Sequence, residues 1–350
     1  MAVVKADAYG HGAAESARAL EAEGAGWFGV TSTEEAMQLR QAGVKGRVVT
    51  LSGFWPGEED TLIEHEITPT VWDGKQLELL DAAARRNNRK QPIPVHLKID
   101  TGMTRLGASV RDLDSTLRNF QANKSIFLEG LLTHLASAEI LDAPDCEAQI
   151  VCFEAAMKRV AAEGLSPKYV HMANSAALIA RPQTWKNMVR PGIALYGYTL
   201  PFASKKMGTA IKTRDLLVKP VLSWKTRVLA VRDVSAGQPI SYDATYVTSA
   251  PARIAVLPAG YADGLNRQLS YRGKVIVNNQ LAPIVGKVTM DLTMIDITGI
   301  PAVEVGTEVV LIGRAGKFTV SAWGHAALAE TIPYEILCNI SKRVPRRYLE

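Results

Sequence analysis

Val3-Val-Lys-Ala-Asp-Ala-Tyr-Gly-His-Gly12 is the stretch from which the rest of the chain can be read. Val3 and Val4 have the β-branched character of a strand. The polar and glycine residues after Asp7 read as the exit from that strand into a loop. Lys5 therefore stands where a strand ends. A lysine at the end of a barrel strand is a candidate Schiff-base former, because burial lowers an amine's pKa and frees its lone pair. On residue type alone Lys5 would be a surface lysine, so the choice depends on whether the chain downstream builds a barrel.

Downstream of Lys5, strands and helices alternate. Strands are expected at residues 2–5, 27–30, 48–51, 70–71, 95–99, 128–132, 169–171 and 188–190. Helices are expected at 13–23, 33–42, 74–87, 110–123, 145–163 and 175–180. Strand and helix in repetition argue for a parallel sheet, and eight strands for a closed (β/α)8 TIM-like barrel. In such a barrel the chemistry sits at the strand C-termini. After Tyr198 the composition changes. Residues 201–215 read as a linker, and apolar β-branched runs recur at 222–231, 253–257, 274–277, 281–285, 293–296 and 308–311, with a short helix at 321–329. The reading is an α/β chain: a barrel domain over 1–214 and a mostly β C-terminal domain over 215–350.

The composition, with 47% hydrophobic and 21% charged residues, is that of a globular enzyme with a large core. No apolar run is long enough to span a bilayer. No basic and apolar leader precedes the first strand, so a cytoplasmic protein is expected. Cys146, Cys152 and Cys338 match no zinc or thioredoxin spacing and read as thiols. The net charge of +5 is dispersed. Its one dense patch, Lys342, Arg343, Arg346 and Arg347, reads as a solvated tail rather than a nucleic-acid surface.

Further blocks succeed the lysine string. Residues 98–107 read Lys-Ile-Asp-Thr-Gly-Met-Thr-Arg-Leu-Gly, Thr133-His134 ends a Leu-rich strand, and 171–176 read His-Met-Ala-Asn-Ser-Ala. Residues 189–197 read Val-Arg-Pro-Gly-Ile-Ala-Leu-Tyr-Gly, and 241–246 Ser-Tyr-Asp-Ala-Thr-Tyr. Gly-Tyr-Ala-Asp-Gly at 260–264, Val-Thr-Met-Asp at 288–291 and Ile-Pro-Tyr-Glu-Ile at 332–336 complete them. Together they resemble, in order and across nearly the full length, the alanine racemase family, whose fold-type-III barrel holds pyridoxal 5′-phosphate (PLP) on a lysine. Family members carry a further strand and helix before that lysine. The resemblance thus implies that Met1 corresponds to an internal methionine of a longer protein.

The resemblance implies a role for each matching residue. Lys5 carries PLP and is one of two bases. Tyr242, from the other subunit of a homodimer with shared active sites, is the second. Arg190 faces the pyridine nitrogen as a donor that keeps its own proton, and His134 lies against the ring. Tyr9, Asn174, Ser175, Gly192, Ile193 and Tyr334 surround the cofactor, most of them at its phosphate. Lys98 is carbamylated and positions Arg105, which contacts the cofactor's phenolic oxygen and the substrate carboxylate. Met290, Tyr261 and Asp291 belong to the substrate side. Where the family usually has Gly after the tyrosine, this chain has Asp243, whose charge would raise the pKa of Tyr242.

The expected activity is the interconversion of L- and D-alanine, supplying D-alanine for peptidoglycan. A broad-specificity amino-acid racemase of the same fold is the nearest alternative. From other classes come a PLP-binding barrel without catalysis, which would lack the β domain and Tyr242, and a metal hydrolase built on His96, Lys98, His134 and His171. The metal hydrolase needs a His-x-His strand that the sequence does not contain.

Overall fold

A computed structural model describes residues 1–199, 201–204, 210–211 and 218–349. They fall into two compact units, Met1–Ala8 with Gly12–Val218, and Tyr9–His11 with Lys219–Glu350. The expected boundary between 214 and 215, and part of the linker at 201–215, lie outside the described residues.

In the first unit, β1 (Ala2–Val3), β2 (Trp27–Val30), β3 (Arg47–Thr50), β4 (Ile67–Val71), β5 (Ile93–Asp100), β7 (Ile126–Leu132) and β8 (Tyr169–His171) pair in parallel in that order, while β6 (Ala108–Ser109) adds to β5. Val48, Val49, Val95, Leu97 and Ile99 are all buried. Such near-continuous apolar runs are what a parallel sheet covered on both faces requires. Helices Ala13–Ala22, Thr33–Gln41, Gly74–Arg86, Leu113–Ala122 and Pro144–Ala162 alternate with the strands. Ser32, Asp73 and Asn174 cap helices by accepting from Glu35, Gln76 and Ala177 amides.

The strand expected at 188–190 is not one. Its backbone is irregular, yet Arg190 N donates to Ala173 O and Val3 N donates to Pro191 O, so the segment bridges the two ends of the parallel sheet. Pro191, which has no N–H to offer a ladder, explains the irregularity. The helix Glu59–Glu64 is an element that the sequence pattern does not announce, and β4 begins earlier than expected.

The second unit is an antiparallel sheet in the order Trp224–Arg227, Glu308–Ala315, Lys274–Val277, Gln280–Val285, Thr293–Asp296, Ala252–Leu257, Ala230–Val234. The run expected as one strand at 222–231 is therefore two. It breaks at residues 228–229, and its halves pair with different strands, Glu308–Ala315 and Ala252–Leu257. The basic C-terminal patch is a solvated tail only in part, since Lys342 and Arg347 are exposed while Arg343 and Arg346 are engaged. Arg346 donates to the carbonyls of Gly10, Ile340, Ser341 and Val344, and Arg343 is ion-paired. Among the described residues no helix is long and apolar enough to cross a membrane.

Candidate active site

Lys5 lies two residues past the end of β1, and there the chain makes an unusual turn. Ala6, Asp7, Ala8 and Tyr9 all have φ near +53°, the left-handed region that costs an L-residue about 1–2 kcal/mol each. Three acceptors hold this turn in place. The Glu35 carboxylate takes the amides of Ala6 and Thr31, each at 2.7 Å. Asp7 Oδ1 takes Ala13 N at 2.8 Å, and Val4 O takes Ala8 N at 2.8 Å. Strain of this kind persists only where the surroundings over-determine it. Sequence reasoning does not find Glu35, whose only signal is that of an acidic first-turn residue of the helix Thr33–Gln41.

The strand ends bring cations together. Lys98 is only 7% exposed, and its Nζ reaches Leu51 O at 3.5 Å. Burial, then the charges of Arg105, Arg190 and Lys5, lower its pKa to about 8. Arg190 is buried and contacts no carboxylate among the described residues; burial pulls it down to about 10, so it stays protonated near neutrality. Its NH1 donates to His171 O at 2.7 Å and to His171 Nδ1 at 3.0 Å. Its NH2 donates to Thr133 O, Met172 O and, at 3.3 Å, His134 Nδ1. Nε alone makes no hydrogen bond among the described residues. An arginine only donates, so His134 Nδ1 is an acceptor and its proton sits on Nε2. Burial and the neighbouring cations, Arg190 first, hold His134 well below its ordinary pKa and therefore neutral.

Asn174 and Ser175 open the helix Ser175–Ala180. Ser175 Oγ accepts from Gly192 N at 2.8 Å and Ala194 N at 3.3 Å, which leaves its own proton to donate. The Gly192 amide is thus already engaged. This donor set suits an anionic aromatic cofactor. A free Nε–H on a buried guanidinium suits a ring nitrogen, a hydroxyl proton suits a phosphate, and the cations Arg105 and Arg190 offset negative charge.

In the second unit Tyr9 and Tyr334 meet with ring centroids 5.8 Å apart. Arg343 bridges Asp263 and Asp291, at 2.6 and 2.8 Å. Tyr242 is 68% exposed and its hydroxyl makes no hydrogen bond among the described residues. The residues around it, Ser241, Asp243 and Ala244, have positive φ. Ser241 Oγ donates to Lys287 O at 3.0 Å, and Lys287 Nζ pairs with the Asp243 carboxylate. The Asp243 charge is therefore neutralised where it stands rather than directed at Tyr242. Met290 and Tyr261 are likewise exposed.

Known proteins share this architecture and its sequence. Residues 1–200 match the family model "Alanine racemase, N-terminal domain", and residues 221–348 match "Alanine racemase, C-terminal domain". A curated alanine racemase of Symbiobacterium thermophilum is 42% identical over 348 residues, covering 99% of this chain and 90% of the relative. The crystal structure of alanine racemase from D-cycloserine-producing Streptomyces lavendulae superposes with a TM-score of 0.90 at 35% identity, covering 100% of this chain and 90% of that one. The alanine racemase of Bartonella henselae, solved with covalently bound pyridoxal phosphate, gives 0.84 at 32% identity over 99% of this chain and 92% of its own.

Proposed function

This chain belongs to the alanine racemase family, and we propose from that premise that it is a PLP-dependent homodimer interconverting L- and D-alanine in the cytoplasm, feeding peptidoglycan synthesis. The observation that carries the cofactor assignment is the buried, protonated Arg190 with one uncommitted Nε–H beside Lys5, Lys98 and His134. The Bartonella relative, with its covalently bound cofactor, supports the same reading.

When bound, PLP supplies the electron sink that makes the alanine Cα–H bond labile. Lys5 holds the cofactor and, once released, takes or returns a proton on one face of Cα. Tyr242 of the partner subunit does the same on the other face. A proton removed by one and returned by the other inverts the centre. A tyrosine with a reference pKa of about 10 needs a positive field to act as a base. The Nε2–H of His134, fixed by the Arg190 contact at Nδ1, is the donor suited to its phenolate. Arg190, which stays protonated, would donate through its Nε–H to the ring nitrogen without giving up that proton.

Lys98, with an amine pKa near 8, is about one-tenth neutral at pH 7 and about half neutral at pH 8. Its lone pair can add carbon dioxide, losing one proton, to give a carbamate that holds Arg105 toward the substrate carboxylate. By resemblance, Ser175, Asn174, the Ile193 backbone, Tyr9 and Tyr334 serve the phosphate and the ring, with the Gly192 amide holding Ser175 Oγ. Met290, Tyr261 and Asp291 serve substrate entry. The test is the visible absorbance of the purified protein with PLP, followed by D-alanine formation from L-alanine. A cofactor band that vanishes in Lys5→Ala, with D-alanine made only by the parent, is the expected result. No band in the parent would sink the reading.

A further inference from the structure

Below Arg190 the barrel interior holds a line of polar groups with no place in the chemistry above. His171 Nδ1 accepts from Arg190 at 3.0 Å, and His171 Nε2 lies 2.9 Å from His96 Nδ1. His96 Nε2 faces Glu129 Oε2 at 3.8 Å and has no hydrogen-bond acceptor among the described residues. Glu129 is gripped by the Arg47 guanidinium, NH2 to Oε2 at 2.6 Å. Trp27 and Tyr169 lie against the His96 ring, and Arg47 lies over Trp27. Arg47, Trp27 and Tyr169 each begin a strand, so the line runs from the N-terminal ends of the strands to the end where Arg190 sits.

The fold makes room for this line. The β5–β7 pairing shifts register between Val95 and His96, so that Val95 faces Leu128, His96 faces Gly130, and Glu129 is the extra residue. Such a bulge re-aims a side chain, here a carboxylate into the barrel. A Cβ on Gly130 would stand 2.5 Å from the His96 ring, so the glycine is what lets that ring lie where it does. The sequence signal for this arrangement is a charged residue beside a glycine inside the apolar strand Ile126–Leu132.

Donor logic fixes every proton on this line. Arginine has no acceptor, so His171 Nδ1 must carry a lone pair. His171 is then neutral with its proton on Nε2, which it donates to His96 Nδ1. His96 in turn carries its proton on Nε2, pointing at the Glu129 carboxylate. Burial holds both rings below their ordinary pKa, consistent with neutral imidazoles. The opposite tautomers would set N–H against N–H at Arg190.

We infer that Glu129, His96 and His171 are positioning residues for Arg190: the guanidinium at one end and the carboxylate facing His96 Nε2 at the other favour the same neutral Nε2–H tautomers, and His171 thereby holds the guanidinium in one orientation. This rests on the reading of Arg190 as the donor to the cofactor ring. The line touches neither substrate nor cofactor, so its loss acts on turnover through Arg190 rather than on alanine binding.

The test is a two-bond nitrogen–proton NMR spectrum of the holoenzyme labelled with [15N]histidine; only six histidines need assignment. His96 and His171 are expected to give the neutral Nε2–H pattern. Glu129→Gln, whose amide oxygen still accepts, should keep that pattern and kcat within about threefold. Glu129→Leu should lose the pattern at His96 and lower kcat about tenfold, with KM for alanine held, on the scale seen when a histidine loses its orienting partner. An Nδ1–H or imidazolium signal on either ring of the parent would overturn the inference, as would a folded Glu129→Leu with unchanged spectrum and kcat. If Glu129→Leu does not fold, the parent spectrum and the glutamine variant decide. The spectrum needs no turnover. An inactive parent with the expected tautomers would count against the racemase reading and leave this one standing.

Discussion

Lys98 shows how a single buried group acquires a chemistry its sequence position alone does not state. Three cations crowd it, Arg105, Arg190 and Lys5, with Asp100 the opposing charge. A pKa near 8 leaves about half the amine neutral at pH 8. Adding carbon dioxide turns a charge repelled by its neighbours into one they attract. A 13C NMR spectrum of the protein equilibrated with 13C-bicarbonate should therefore show one slow-exchanging carbamate signal, absent from Lys98→Met. Its absence from the parent would mean that the cations tolerate an ammonium. The polar face of β5 is legible in the sequence because side chains alternate along a strand, which puts His96 and Lys98 on one side. What the alternation cannot give is the partner of His96, since Glu129 reaches it only through a register shift that no local pattern announces.

At the scale of elements, the turn after Lys5 is held against its own backbone preferences. Four left-handed residues cost about 1–2 kcal/mol each, and the Glu35 carboxylate offsets part of this through two amide hydrogen bonds at 2.7 Å. Glu35→Ala should lower stability by roughly 1–3 kcal/mol in urea unfolding, and Glu35→Gln, with one acceptor oxygen, by less. Equal stability of all three chains would show that the turn is held by other contacts.

The helix Ala322–Leu328, capped by Ser321 on Gly324 N, buries His325 with its Nε2 unpartnered among the described residues. Burial lowers this histidine to about 4, against about 6.5 in an unfolded chain. Between those values the unfolded chain binds a proton that the folded one refuses. The contribution is therefore intact above about pH 6.5 and lost progressively toward pH 4, up to about 3 kcal/mol. His325→Leu should shrink the drop in Tm between pH 7 and pH 5; an unchanged drop would place the acid sensitivity elsewhere, with His96, His134 and His171 the next groups to examine. Most of the helices and the longer strands are visible in the sequence as periodicity, though Glu59–Glu64 and Pro333–Cys338 are not. The split of the run at 222–231 is not, because a β-branched stretch reads the same whether it stays in one ladder or passes between two.

For the whole molecule, the question is where Tyr242 works. Tyr242 is 68% exposed, with no hydrogen bond on its hydroxyl among the described residues, and a tyrosine needs a positive field to act as a base. Arg190 and His134 of a barrel can supply that field, and a two-fold dimer would bring each chain's Tyr242 to the other's Lys5. Separate Lys5→Ala and Tyr242→Phe chains should each be nearly inactive. A mixed dimer of the two holds one site with neither group and one site with both. Random reassortment makes about half the dimers mixed, each with one working site of two, so about a quarter of the parent activity should return on mixing. Differently tagged chains allow the mixed dimer to be isolated, and there the recovery should rise to about half. Verified mixed dimers without recovered racemisation would mean that both bases come from one chain, and the exposed turn at residues 241–244, pinned by Lys287, would then need another purpose.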